Sequence, residues 1–183
     1  MQTLEFRTNE VRMLAALFGI VATERDARYY LRGVYADTEV MIATNGHIVA
    51  YFKHEQEITH PFIIPARKIP AATIGLEIQY DPDKGEIYSG YSSKQKIGVK
   101  QPTVDKIDGT FPAWESAADV PEYNAAEGGD LSCTYVSFQP KLIMPILKAL
   151  KEDCVLFEQF GGKIRASVRG YEQLKVMIMQ CKR

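Results

Sequence analysis

The sequence predicts an α+β fold built from antiparallel sheets, and three observations carry that expectation. A strand–helix–strand–strand–strand pattern occupies residues 3–53. The same pattern recurs in residues 133–181. The segment between them, His60 to Ser116, is rich in strand signals and poor in helix. Two strand–helix–three-strand halves can pair their sheets and cover one face with two helices. The repeat is one of pattern, not of residue identity.

In the first half, residues 3–7 read as a short strand. Thr8 or Asn9 caps a helix over Glu10 to Val21, because Val11, Leu14, Ala15 and Phe18 fall at i, i+3, i+4 and i+7. Leu17 and Val21 widen that apolar face. Three strands follow, over 29–35, 39–43 and 48–53, and the run from Asp26 to Val34 reads as extended. Asp37-Thr38-Glu39 breaks the first pair, and Asn45-Gly46 sits where a tight hairpin turn needs positive φ. In the middle, Phe62-Ile63-Ile64-Pro65 is a short apolar strand and residues 74–80 alternate. Asp81-Pro82-Asp83-Lys84-Gly85 is a turn, since proline sets φ and glycine accepts the left-handed position. Strands follow over 86–91 and 96–100. The helical candidate Ala66 to Ile74 is cut short by Pro70. In the last third, a strand over 133–138 leads to a helix from Pro140 to Lys151, with Leu142, Ile143, Ile146, Leu147 and Leu150 on its apolar side. Pro145 inside that helix would cost on the order of 3 kcal/mol unless it lies in the first turn, so the helix begins later than Pro140 or kinks. Strands over 154–160, 163–169 and 174–181 complete the half, with Gly161-Gly162 as the first turn.

A chain of 183 residues is one or at most two domains. We expect a single compact domain over 1–183, organised as a half (1–57), a strand-rich middle (58–118), a linker (119–130) and a second half (131–183). The linker is acidic, rich in small residues and punctuated by glycine. Composition is ordinary for a globular protein, 46% apolar and 25% charged. No run approaches ~18 apolar residues, and the start lacks the charged and apolar regions of a signal peptide, so no membrane partner is expected. Cys133, Cys154 and Cys181 are an odd number without metal-type spacing, which points to a reduced cytoplasmic setting, with Cys133 and Cys154 as buried strand thiols. A net charge of −1 argues against a protein that wraps nucleic acid in a strongly basic surface, though it leaves room for a local patch. No Ser/His/Asp or Cys/His arrangement has a recognisable setting, and Gly161-Gly162 precedes no helix that could hold a phosphate. No catalytic residue, metal or cofactor is therefore assigned, and the chain is not expected to be an enzyme.

Four islands resemble one family. They are Arg28-Tyr29-Tyr30-Leu31-Arg32-Gly33, Ala43-Thr44-Asn45-Gly46-His47, Asp108-Gly109-Thr110-Phe111-Pro112, and Val136-Ser137-Phe138-Gln139-Pro140 running on to Leu147-Lys148-Ala149-Leu150. Phe62-Ile63-Ile64-Pro65-Ala66-Arg67-Lys68 supports them. In this order the islands resemble the bacterial DNA polymerase III sliding clamps (the beta subunit), as a middle domain followed by the second half of a last domain. The resemblance implies a DNA-clamp-like fold in a reduced, phage-derived protein. Three departures stand out. The family's Asp-Gly-His-Arg turn is here Asn45-Gly46-His47-Ile48, and its Met-Pro-Met is here Met177-Ile178-Met179. The counterparts of a first domain and half of a third are lacking, so a ring is not expected to be built in the family's usual way.

The resemblance implies a groove that takes short peptide motifs of replication proteins. Its residues map onto Leu31, Thr44, Gly46, His47, Ile48, Val49, Pro112, Met177, Ile178 and Met179. Leucine, valine, isoleucine and methionine suit a concave apolar site, and methionine adapts to different partners. Read without the family, His47 is a turn histidine rather than a groove residue, and Trp114 is a packing anchor. The resemblance also implies helices that face double-stranded DNA, with Arg12, Lys141, Lys148 and Lys151 as the contacts. Lys141, Lys148 and Lys151 share one helical stripe, which reads equally as a solvated face; Lys148 and Lys151 also suit the negative end of a helix dipole. The function implied is a sliding-clamp-like protein of DNA replication or repair, a homo-oligomer around DNA. The alternatives are a clamp-derived adaptor or decoy that binds replication proteins without encircling DNA, and a small enzyme of unknown type.

Overall fold

The computed structural model describes residues 4–66, 77–91, 99–100, 105–118, 138–160 and 163–179. The expected linker over 119–130, the strand over 133–137, the Gly161-Gly162 turn and Cys133 lie outside them, as does nearly all of the helical candidate after Ala66.

Helix α1 (Thr8–Phe18) follows strand β1 (Leu4–Phe6) and buries Val11, Met13, Leu14, Ala16, Leu17 and Phe18. Its start lies earlier than expected. The Glu10 carboxylate accepts the Arg7 backbone N–H at 2.9 Å, so Arg7 rather than Thr8 or Asn9 is the cap. It also ends before Val21. The Gly19 N–H is shared between the Ala15 and Ala16 carbonyls, which tightens and closes the last turn.

Residues 29–31 form a single 3-10 turn rather than a strand. The Leu31 and Arg32 N–H groups donate to Arg28 and Tyr29 carbonyls, and the Leu31 carbonyl is taken by Ala22, so this backbone has no edge left for a sheet. Strand β2 (Gly33–Ala36) starts only at Gly33. A Cβ there would lie 2.5 Å from both Ile63 Cγ2 and the Ile64 carbonyl, so glycine permits the close pairing that begins the strand. Strands β3 (Val40–Thr44) and β4 (Ile48–Lys53) continue as a meander. Strand β5 (Phe62–Pro65) returns to the outer edge of β2, a place where proline is tolerated.

Strands β6 (Glu77–Asp81), β7 (Glu86–Tyr91) and β8 (Val99–Lys100) build a second, four-stranded sheet with β1, in the order β1-β6-β7-β8. The turn between β6 and β7 is the one the sequence predicts, with Gly85 at φ 66° and the Asp81 carboxylate accepting the Asp83 and Lys84 N–H groups. Residues 105–118 then cross the outer face of the larger sheet and end in α2 (Glu115–Ala118).

In the second half, a 3-10 turn over Pro140–Leu142 precedes α3 (Met144–Leu150). Pro145 falls in the first turn, where its missing N–H costs nothing, so the helix begins late rather than kinking. Strands β9 (Val155–Phe160), β10 (Lys163–Val168) and β11 (Lys175–Met179) follow. Cys154 is exposed just before β9, not a core thiol, because the strand starts one residue later than expected.

The larger sheet has seven antiparallel strands in the order β5-β2-β3-β4-β11-β10-β9. The last strands of the two halves, β4 and β11, pair with each other, so β2-β3-β4 and β9-β10-β11 are related by an approximate two-fold. Helices α1 and α3 pack against each other on one face, with Pro145 against Gly19. The main core lies beneath them, from Leu4 and Phe6 through Ile48 and Phe52 to Val176 and Ile178.

Lys151 ends α3 at φ 60°, the one non-glycine in the left-handed region among the described residues. A side chain there costs about 1 kcal/mol that glycine avoids. Lys151→Gly is therefore expected to raise stability by about 1 kcal/mol in urea unfolding; an unchanged midpoint would contradict the left-handed cap.

Candidate functional site

The candidate site lies where β4 meets β11 on the face away from the helices. The register pairs Met177 with Val49 and Ile178 with Ile48. Successive strand residues point to opposite faces. Val49 and Met177 therefore join Leu31 on the outer face, with exposures of 5%, 3% and 2%. Ile48 and Ile178 point the other way, into the core beneath α1 and α3. The period-2 alternation thus removes these two from the groove expected from the sequence.

The floor is roofed by the chain's own segment 105–118. Phe111 is buried against it and stacks on Tyr35, with ring centroids 4.9 Å apart and planes at 15°. Trp114 tilts over Tyr51 at 5.1 Å. Burial raises the Tyr35 phenol above its ordinary pKa. The Lys163 ammonium donates to the Ser116 carbonyl at 2.5 Å and ties α2 to β10. What remains open is a shallow rim: exposed Gly46, His47 and Pro112, and Met179 at 44% exposure. The Met179 N–H donates to the His47 carbonyl at 2.9 Å, so these two rim residues are joined through the backbone.

The turn between β3 and β4 is fixed by side chains. Asn45 Oδ1 accepts the His47 N–H at 3.0 Å and the Ile48 N–H at 3.3 Å. Thr44 Oγ1 accepts the Gly46 N–H at 3.0 Å and donates to the Ile48 carbonyl at 2.7 Å. Thr44 therefore stitches the turn, and its hydroxyl is not a group offered to a partner. Gly46 has φ 88°, which glycine adopts without strain.

Three contributors to the site escape a reading of the sequence. Phe111 and Trp114 are visible in the string after Gly109, but nothing in it shows that they fold back over β4. The third is Arg28. Its guanidinium donates to both Asp26 carboxylate oxygens, at 3.0 and 2.7 Å, and to the Asn45 carbonyl at 3.1 Å.

On the helix side, Lys141, Lys148 and Lys151 are exposed. Arg12 is not presented with them. It lies partly buried on α1, and its Nη1 donates to the Tyr171 hydroxyl at 2.9 Å. An open depression of 1380 Å³ lies elsewhere, at the far end of β4, lined by Arg7, Glu10, Lys53, Gln56 and Lys175 among others. Its mixed charges do not define a ligand, and Tyr51, which receives Trp114, is the residue it shares with the candidate site. Among the described residues, no three metal-ligating side chains converge and no helix is long and apolar enough to cross a membrane.

No protein-family model matches the chain, and no similar curated protein is found. Solved structures do resemble it. A DNA polymerase sliding clamp from Pseudomonas aeruginosa matches with a TM-score of 0.57 and 14% identity, over 100% of this chain and 67% of that one. The sliding clamp of Bacillus subtilis matches with a TM-score of 0.59 and 12% identity, over 99% and 64%. DNA polymerase III subunit beta of Borrelia burgdorferi, solved in complex with a natural product, matches with a TM-score of 0.59 and 14% identity, over 99% and 63%. The chain has the fold of these clamps and spans about two-thirds of their length.

Asp26 yields a pH prediction. Hydrogen bonds from the Arg28 side chain and backbone hold its carboxyl well below the usual carboxylate range, against a smaller opposing effect of burial. A carboxyl with a lowered folded-state pKa stabilises the fold above its unfolded value of about 4, and that contribution is lost as pH falls through the folded value. Asp26→Asn is expected to lower Tm at pH 7, with the gap to wild type narrowing below about pH 4. A gap that widens on acidification would contradict the assignment.

Proposed function

We propose that the chain is a non-enzymatic, sliding-clamp-like protein of DNA replication or repair. It takes short apolar peptide motifs of replication proteins at the rim of Gly46, His47, Pro112 and Met179, beside the covered cluster of Leu31, Val49 and Met177. It associates with further copies into a closed assembly around double-stranded DNA, with Lys141, Lys148 and Lys151 facing the phosphates. The observation that carries this reading is the convergence at the β4–β11 junction. Residues separated by well over a hundred positions, Leu31 and Val49 on one side and Met177 on the other, meet on one face. They do so in a chain that matches the clamp fold along its whole length.

The physics of the two faces supports a division of labour. The outer face offers an adaptable thioether, Met179, joined through its backbone to a fixed turn, which suits capture of short apolar anchors. The helix face offers lysines on flexible stems, which suits loose contact with phosphates that carry no sequence information. A second reading, an adaptor that binds replication proteins without encircling DNA, is favoured by one observation: Arg12 is engaged with Tyr171 rather than presented with the lysines.

Salt dependence of DNA association separates the two. The clamp reading predicts retention on circular double-stranded DNA that weakens as salt rises. The Lys148→Glu variant is expected to be weaker still, with a salt slope shallower by about one unit for each phosphate that Lys148 neutralises. No measurable association at low salt, or a Lys148→Glu variant equal to wild type, would leave the adaptor reading in its place.

A further inference from the structure

Residues 105–118 are seated unevenly on the larger sheet. Phe111 is the one buried residue among them, pinned by its stack on Tyr35. Beyond the exposed Pro112 and Ala113 the hold weakens. Trp114 is only half-buried where it tilts over Tyr51, and α2 buries no residue. Among the described residues, no backbone group of 105–118 joins the sheet ladder beneath. The Ala117 and Ala118 N–H groups turn back to the Trp114 carbonyl, and the Ser116 carbonyl is taken by the Lys163 ammonium. One aromatic ring, the small Ala117 and one flexible lysine therefore hold residues 113–118 in place. A segment with few buried contacts and no ladder hydrogen bonds opens at a free energy well below that of the whole fold.

What this segment covers is a continuous track. Along the outer face of β4 and β11 come first His47 and Met179 at the rim, then Val49 with Met177, then Tyr51 with Lys175. Tyr51 also lines the open depression at the far end of β4. Helix α2 packs on both strands and Trp114 stands on Tyr51, so the segment divides the rim from the depression. We propose that residues 113–118 are an autoinhibitory flap that swings on Phe111-Pro112, with Trp114 holding over Tyr51 the place of a partner's apolar anchor. This rests on the reading of the β4–β11 junction as a peptide site. Tryptophan suits the part, because it covers a large apolar area with few torsions to fix. The closed flap weakens peptide binding by the fraction of molecules in which it is open.

Trp114 is the only tryptophan of the chain, so its emission reports the flap alone. The test uses a C-terminally amidated peptide with a leucine–phenylalanine pair and no tryptophan. Its affinity is read from the anisotropy of a fluorescein-labelled form, and Trp114 emission is read with the unlabelled form. In wild type, saturating peptide is expected to shift that emission to the red and to raise its quenching by acrylamide. Lys163→Met loosens the tie and keeps the reporter; it is expected to bind about threefold more tightly. Trp114→Ala is expected to bind about tenfold more tightly, because its open fraction is larger. Binding that leaves emission and quenching unchanged, with neither variant tighter than wild type, would show a fixed wall. It would overturn the proposal and leave the rim reading standing. Weaker binding by a Trp114→Ala variant with unchanged far-UV circular dichroism would make Trp114 a contact rather than a cover, and would overturn it too. Should Trp114→Ala lose its fold, the Lys163→Met comparison decides alone. No binding by wild type or by either variant would remove the groove reading and this inference together.

Discussion

Four residue pairs between β4 and β11, from Tyr51 with Lys175 to Ile48 with Ile178, hold the two halves of the chain in one sheet. Most other features of the molecule follow from that pairing. It sets the approximate two-fold that brings α1 and α3 together over one face. Its register also decides which residues face which way. Ile48 and Ile178 enter the helix-covered core, and Val49 and Met177 enter the cluster under Phe111. Each fully buried side chain of this size contributes roughly 1.5–3 kcal/mol, so a slip of one residue would expose a row of them at once. The pairing is therefore strongly specified despite the long stretch of chain between its strands.

The same pairing separates two surfaces that a clamp-like role would need to keep apart. A partner peptide at the rim of His47, Pro112 and Met179 would sit on one side of the sheet, and DNA against the exposed lysines of α3 on the other. The turn at Asn45-Gly46 ties the first surface to the strand ends, and Lys163 ties the roof segment to β10 through Ser116. With Leu31, Val49 and Met177 nearly covered, an incoming group meets the rim first.

Much of the fold is legible in the sequence because its signals are local. The α1 stripe, the Asn45-Gly46 turn, the Asp81 to Gly85 turn and the bounds of β4 and β7 each rest on residues adjacent or a turn apart. Sequence and structure part where distant contacts decide. Tyr29-Tyr30-Leu31 has the aromatic and apolar character of a strand, yet the hydrogen bond from Ala22 to Leu31 and the grip of Asp26 on Arg28 wind it into a 3-10 turn. Ile48 and Ile178 read as groove residues because they sit inside the motifs that carry the resemblance; a motif is contiguous, but a strand sends alternate residues to opposite faces. Arg12 looks free on a helix surface, and its partner Tyr171 lies 159 positions away. The roof over the groove is equally hidden, since its closure depends on Tyr35 and Tyr51 receiving Phe111 and Trp114.

The central claim is that copies of this chain close into a ring-like assembly, and its most direct test is solution molar mass by light scattering across a wide concentration range at low and high salt. A clamp-like protein gives one discrete multiple of the chain mass of 20.6 kDa that grows no further as concentration rises, because a closed assembly has no free edges left to add to. A monomer mass at every concentration and both salt levels would contradict it.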